Sequence, residues 1–246
     1  MTDTKHTKKV YNEHAEMYHK SILSKANIWH KYIEKPAMIS LLKKEIKGKT
    51  VLDLGCGSGP FVKKLFSLGA KKVKGIDLSE ELIKIAIREN PKAKFVVGDA
   101  KKTPYKNKGF NLVVSSLMVH YFKDLKPLFK EVARILNKKG LFVFSMHHPL
   151  MEVSGRLKVK IKGIKGDLLR PYFHNKKYNW ILNEKMKMIA YHHTFEMIVN
   201  SLNDSGFIIE RVLEPVAPKK VKKIRRSTYE RTNKRPSILI VKARLR

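Results

Sequence analysis

Acidic residues are scarce in this chain: 21 Asp and Glu stand against 53 Lys and Arg in 246 residues, a formal charge of +32. Cysteine is scarcer still. Cys56 is the single one, which excludes an intramolecular disulfide framework and makes a reducing compartment, the cytoplasm, the expected location. No apolar h-region follows the polar first ten residues, so no secretory signal is expected. Long apolar runs are missing too: the best, 112–119, is interrupted by Ser115 and Ser116 and falls far short of the roughly 20 residues a membrane helix needs. Yet 43% of the residues are hydrophobic, enough to build a core and to exclude a disordered chain. The expectation is a basic protein of one domain, 1–246, without a membrane span.

The positive charge is spread along the whole chain, with one concentration. Lys219, Lys220, Lys222, Lys223, Arg225, Arg226, Arg231, Lys234 and Arg235 meet a single acid, Glu230. Such a run is a weak footprint for an anionic partner, whether nucleic acid, lipid headgroup or acidic substrate. It is also the composition of a solvated loop, which is the reading the sequence favours.

Periodicity divides the rest. Tyr11, Ala15, Tyr18 and Ile22 lie on one helical face, continued by Ile33, Ala37 and Leu41, so 1–48 reads as a helical cap. From Thr50, short β runs alternate with helical spacing: strands at 50–54, 72–76, 94–97, 110–115 and 141–146, helices between them, and a turn at 137–140. That alternation means a parallel sheet covered on both faces. Residues 49–148 form the expected ligand-binding core. The segment 149–190 has no clean period and reads as a substrate-cap insertion over the sheet's carboxyl edge. A helix at 192–204 and two further strands, at 207–213 and 238–243, complete 191–246. The expected fold is α/β, a Rossmann-like, seven-stranded, mostly parallel sheet with helices on both faces, its last strand antiparallel and an insertion after the fifth.

Ligands of open parallel sheets bind beyond the carboxyl ends of the strands. After the first strand stands Asp53-Leu54-Gly55-Cys56-Gly57-Ser58-Gly59, whose glycines permit a sharp bend and close backbone approach. The dinucleotide pattern G-x-G-x-x-G fails here: its third glycine would be Pro60 or Val62. Asp53 would repel a pyrophosphate but attract an amino group. Asp77, ending the second strand, suits two ribose hydroxyls. Asp99, after the third, suits an exocyclic adenine amine, with Ala100 adding a backbone N–H. These residues describe a pocket for adenosine bearing an amino-acid tail and no phosphates.

The set V51-L52-D53-L54-G55-C56-G57-S58-G59, G75-I76-D77-L78-S79, G98-D99-A100 and F110-N111-L112-V113-V114-S115-S116 resembles the motifs of class I S-adenosylmethionine-dependent methyltransferases. The runs H120–L125, S145–P149 and F195–P215 are similar to the type-11 group within that class. The resemblance implies S-adenosylmethionine as cofactor. Asp53, Gly55, Gly57 and Gly59, with Cys56 in the same bend, would line its methionine end, Asp77 and Leu78 its ribose, and Asp99 and Ala100 its adenine. Ser115 would sit beside the sulfonium, and Tyr11 and Tyr18 would close over the top. The implied reaction is in-line methyl transfer to a small-molecule acceptor, with an RNA acceptor docked on 219–235 as the alternative.

A base is needed only where the acceptor must lose a proton, and His120 and His147, at strand ends on the productive edge, are the candidates. His120, Tyr121, His148, Tyr172, Tyr178 and Trp180 are the candidate acceptor-pocket residues. No metal is expected, since adjacent histidines diverge on a strand and no cysteine cluster assists.

Overall fold

The structure, a computed structural model, describes residues 3–161, 164–169, 171–173, 177–183 and 185–246. Parts of the expected 149–190 insertion lie outside the described residues. The N-terminal portion comprises α1 (Asp3–Glu13), α2 (Ala15–Leu23), a π-helix (Trp29–Glu34) and α3 (Lys35–Leu42). Then follow β1 (Thr50–Leu54), α4 (Val62–Ser67), β2 (Lys72–Asp77), α5 (Glu80–Glu89), β3 (Lys94–Val97) and β4 (Phe110–Ser115). A 3-10 turn (Val119–Tyr121), α6 (Lys126–Ile135) and β5 (Leu136–His147) come next. Beyond them lie α7 (Pro149–Val153) and two hairpins, β6 (Ser154–Ile161) with β7 (Ile164–Leu169) and β8 (Lys177–Leu182) with β9 (Met186–Tyr191). The chain closes with α8 (Phe195–Asp204), β10 (Phe207–Leu213), α9 (Lys219–Ile224), α10 (Arg226–Lys234) and β11 (Ile238–Leu245).

Seven strands form one sheet in the order β10-β11-β5-β4-β1-β2-β3, with β11 antiparallel to both neighbours and the remaining pairs parallel. Alternate side chains explain its burial on both faces. Leu52, Leu54 and Val113 pack with Leu128, Phe129 and Val132 of α6, while Val51, Leu112 and Val114 pack with Met38, Leu42, Val62 and Leu65 on the other face. Local chemistry sets the helix starts. Ser79 Oγ accepts from Leu82 N at the head of α5, and Thr194 Oγ1 from Met197 N at the head of α8.

Two expectations are corrected and one gains detail. The turn at 137–140 is absorbed into β5, which begins at Leu136 and pairs with β4 across a register shift. The N-terminal helical span is broken into three α-helices and a π-helix, a detail that apolar spacing does not encode. The basic run 219–235 is two helices rather than a solvated loop. Its inner face is pinned on aromatics of the N-terminal portion, with Lys220 Nζ 4.7 Å from the Tyr32 ring and the Arg231 guanidinium 4.9 Å from that of Trp29. No helix among the described residues is long and apolar enough to cross a membrane.

Candidate active site

At the carboxyl ends of β1, β2 and β3 the chain leaves a small cavity of about 100 Å³, lined among others by Gly55, Gly57, Asp77, Leu78, Asp99 and Ala100. The bend after β1 makes it. Gly55 has φ +73°, and a Cβ there would lie 2.5 Å from Met118 Cγ; Gly59, at φ +74°, would collide with Asn90 Nδ2 at 2.6 Å. Both positions require glycine for conformation and for space. Asp77 fastens the bend: its Oδ2 accepts from Gly57 N at 2.8 Å and its Oδ1 from Ser79 N at 3.0 Å. Burial raises the Asp77 pKa, against the pull of those N–H donors.

The first two helices roof this cavity with Tyr11 and Tyr18. They are held by several contacts. His19 Nδ1 lies 2.9 Å from Ser58 Oγ, Ser79 Oγ donates to Asn12 Oδ1 at 2.6 Å, and Lys8 pairs with Glu80. Lys8 is thus the cation of the cavity wall and is already bound to a carboxylate. A wall with Asp77 and Asp99 and no free arginine suits a sugar and an amine rather than phosphates, so the residues present fit S-adenosylmethionine.

Asp53 lies behind this wall, 2% exposed. Burial raises its pKa to about 7, with Asp77 and Glu34 adding to the rise and Lys35 opposing it. Glu34 and Lys35 went unnoticed in the sequence. Glu34 is fully buried on the π-helix, where its Oε1 accepts from Ser116 Oγ at 2.9 Å and Ser145 Oγ at 2.8 Å. Burial acts to raise its pKa, but Lys35, His30 and Ser145 together hold it at about 2. Lys35 Nζ also donates to Ser116 Oγ at 3.1 Å and stands 3.8 Å from the Phe61 ring centre. A charge pair in the middle of a lysine-rich amphipathic stretch carries no local mark of burial; only the packing of the π-helix against β4 and β5 reveals it.

A second cavity of about 810 Å³ adjoins the first. Tyr11, Tyr18, Leu117 and Tyr121 line both, so these four residues form the partition. The Tyr11 and Tyr121 hydroxyls are 2.9 Å apart across it. Burial pushes both phenols well above their ordinary pKa, so they stand neutral and cannot serve as bases near pH 7. His120 and His147 line the larger cavity with their rings stacked at 3.8 Å and 11°. His147 Nδ1 lies 2.7 Å from the Tyr178 hydroxyl, whereas neither ring nitrogen of His120 has a hydrogen-bond partner among the described residues. Burial lowers His147 to about 3 and His120 far below its usual value, helped by the His147 and His193 charges, so both imidazoles are neutral.

Of the residues singled out in the sequence, Tyr11, Tyr18, Gly55, Gly57, Asp77, Leu78, Asp99 and Ala100 meet at the small cavity, and His120, Tyr121, His147, Tyr178 and Trp180 at the large one. Asp53, Cys56, Gly59 and Ser115 form the layer beneath; Ser115 Oγ donates to Leu54 O at 2.9 Å, and burial pushes the Cys56 thiol up. His148 and Tyr172 line neither cavity. His148 Nε2 is 2.7 Å from Glu214 Oε1, and the Tyr172 hydroxyl accepts from Phe195 N at 3.0 Å at the head of α8. The neighbours His147 and His148 diverge, as alternation along a strand requires; that His147 is the one lining the cavity is set by packing. Among the described residues no group of His, Cys, Asp or Glu is placed to hold a metal ion.

A cleft beyond the carboxyl ends of the strands, in a seven-stranded sheet with one antiparallel strand, is the ligand edge of the Rossmann-like α/β class. A family model described as "Methyltransferase domain" matches residues 52–144. The crystal structure of an S-adenosylmethionine-dependent methyltransferase from Mesorhizobium loti is 30% identical, covering 85% of this chain and 96% of that one, with a TM-score of 0.72. A corresponding structure from Listeria monocytogenes is 29% identical over 86% of this chain and 98% of that one, with a TM-score of 0.70. Among curated proteins, the malonyl-[acyl-carrier protein] O-methyltransferase of Legionella pneumophila is 29% identical over 61% of this chain and 52% of its own length. The chain belongs to the class I S-adenosylmethionine-dependent methyltransferases.

Proposed function

We propose that the chain methylates a small molecule seated in the larger cavity, with the methyl donor bound in the smaller. The observation that carries this reading is the shared partition of Tyr11, Tyr18, Leu117 and Tyr121, through which a donor carbon on one side can meet a nucleophile on the other. Asp77 and Leu78 would hold the donor's ribose, Asp99 and Ala100 its adenine, and the Gly55–Gly59 bend, backed by Asp53, its amino-acid end. S-adenosylmethionine supplies an electrophilic methyl carbon: the acceptor's lone pair forms the new bond as the S–C pair returns to sulfur. The protein contributes alignment, worth several kcal/mol as oriented proximity. Where the acceptor carries a proton, neutral His120, which has no other hydrogen-bond partner among the described residues, is the candidate to take it, with His147 stacked behind.

Calorimetry with S-adenosylmethionine and its demethylated product, followed by a labelled-methyl screen of a metabolite pool with product identification by mass, tests the reading. Donor binding with label appearing in a small product is expected; label appearing only in macromolecules would overturn it. One observation favours RNA as a second reading: Lys222, Lys223 and Arg226 face outward from the basic helices. Tight binding of total tRNA with a steep salt slope would support it.

A further inference from the structure

The far wall of the larger cavity is cationic. Arg225, Arg231 and Arg235, all from the α9–α10 segment, line the same space as Trp180, Tyr178 and His147. Neither Arg225 nor Arg231 pairs with a carboxylate among the described residues, and the one acid of the segment, Glu230, is taken by Arg226 at 2.7 Å. The Arg231 guanidinium lies over the Trp29 ring, a contact that holds the side chain without neutralising it. Burial lowers the Arg231 pKa, and the Arg235 and Arg225 charges lower it further, so the three guanidiniums repel one another. Arg225 and Arg231 are both exposed and line this space, so their charges are accessible to an anion that enters it.

The register gives the scale. Ile238 pairs with His147 across the β11–β5 ladder, and Arg235 precedes Ile238 by three residues, so the Arg235 α-carbon lies at most about 10 Å from that of the residue opposite His147. One aromatic ring or short chain bridges that span. We propose that the methyl acceptor carries a carboxylate or phosphate that seats on Arg225 and Arg231, while its apolar body crosses Trp180 and brings the atom to be methylated to the partition at Tyr121. This inference rests on the small-molecule reading above and deepens it: the cluster is a specificity determinant, recognising an end of the acceptor that does not react. Guanidinium forks match the planar oxygens of either anion, and both hydrogen bonding and charge favour the pairing.

Titration of the full-length protein with phenyl phosphate, benzoate and neutral benzyl alcohol tests the proposal, with S-adenosylmethionine affinity measured in parallel. At least one anionic probe should bind about 10-fold more tightly than benzyl alcohol, as expected for loss of a charge-assisted contact. R225Q and R231Q should each weaken that probe by about 10-fold, R231K should recover part of it, and donor affinity should stay within about twofold in all variants. R225Q keeps the test sound if loss of the Trp29 contact unfolds R231Q. The preference between phenyl phosphate and benzoate identifies the anion. Equal binding of charged and neutral probes, no binding of either anion, or unchanged affinity in the variants would overturn the proposal. So would displacement of the probe by tRNA with a steep salt slope, which would hand the arginines to a polyanion. Failure of S-adenosylmethionine itself to bind would instead sink the functional reading, and the two failures are distinguishable because donor and probe are titrated separately.

Discussion

The smaller cavity takes its wall from strand ends and a tight glycine bend, whereas the larger takes its wall from side chains delivered by segments far apart in the chain. Gly55, Asp77 and Asp99 end or follow three successive strands of one sheet and occupy fewer than fifty residues of sequence. Trp29, His120, His147, Trp180 and Arg231 come from a π-helix, a 3-10 turn, a strand end, a hairpin and a short helix. The first cavity is thus fixed by backbone and tolerates little change. The second is a collection of side chains, and its chemistry can be altered without disturbing the sheet. That division suits the proposed task, a constant donor on one side and a variable acceptor on the other.

The sharpest break of this comparison is Asp77→Asn. The amide cannot accept from both Gly57 N and Ser79 N as a carboxylate does, so S-adenosylmethionine affinity should fall by about 100-fold in calorimetry, with the bend loosened. Trp180→Ala on the acceptor side should leave donor affinity within about twofold while methyl incorporation into the acceptor drops by about 10-fold; a matching loss of donor binding would erase the distinction between the two halves. Gly55→Ala places a Cβ against Met118 at positive φ and should cost about 2 kcal/mol in chemical denaturation.

Titration sharpens the contrast further. His147 is held at about 3 in the folded protein, below its unfolded value of about 6.5, so the unfolded chain takes up its proton first as pH falls. Stability is therefore full above about pH 6.5 and declines toward pH 3, by up to about 1.4 kcal/mol per pH unit from this residue. H147Q should flatten that slope in denaturation curves between pH 7 and 4.5. Asp53 behaves in the opposite sense. Its folded pKa is raised to about 7 above the unfolded value near 3.9, so stability is lost as pH rises from about 4 to 7. D53N should accordingly stabilise the free protein at pH 8 by about 1 kcal/mol while weakening the donor; a destabilised D53N would mean the carboxylate is not held at a cost.

Much of the donor half was legible because its signals are local. Strand, glycine bend and terminal aspartate adjoin in sequence, and β1, β3, β4 and β10 fall within the residues that alternation and apolar runs marked. The acceptor half was legible in part: His120, His147, Tyr178 and Trp180 converge, while His148 and Tyr172 point elsewhere and Arg231 gave no sign of its placement; behind the donor half, the Glu34–Lys35 pair gave none either. Whether a lysine-rich segment is a loop or a pair of docked helices turns on two stacking contacts with Tyr32 and Trp29, residues nearly two hundred positions away.

By itself the amino-acid order determined a parallel sheet with its ligand edge, because hydrophobic period, glycine conformation and capping act between residues close in the chain. Which histidine lines the larger cavity, which carboxylate is buried, and where three arginines gather were decided by the tertiary structure alone. Burial and Coulomb energies depend on distance in space, and long-range packing, not sequence separation, sets those distances.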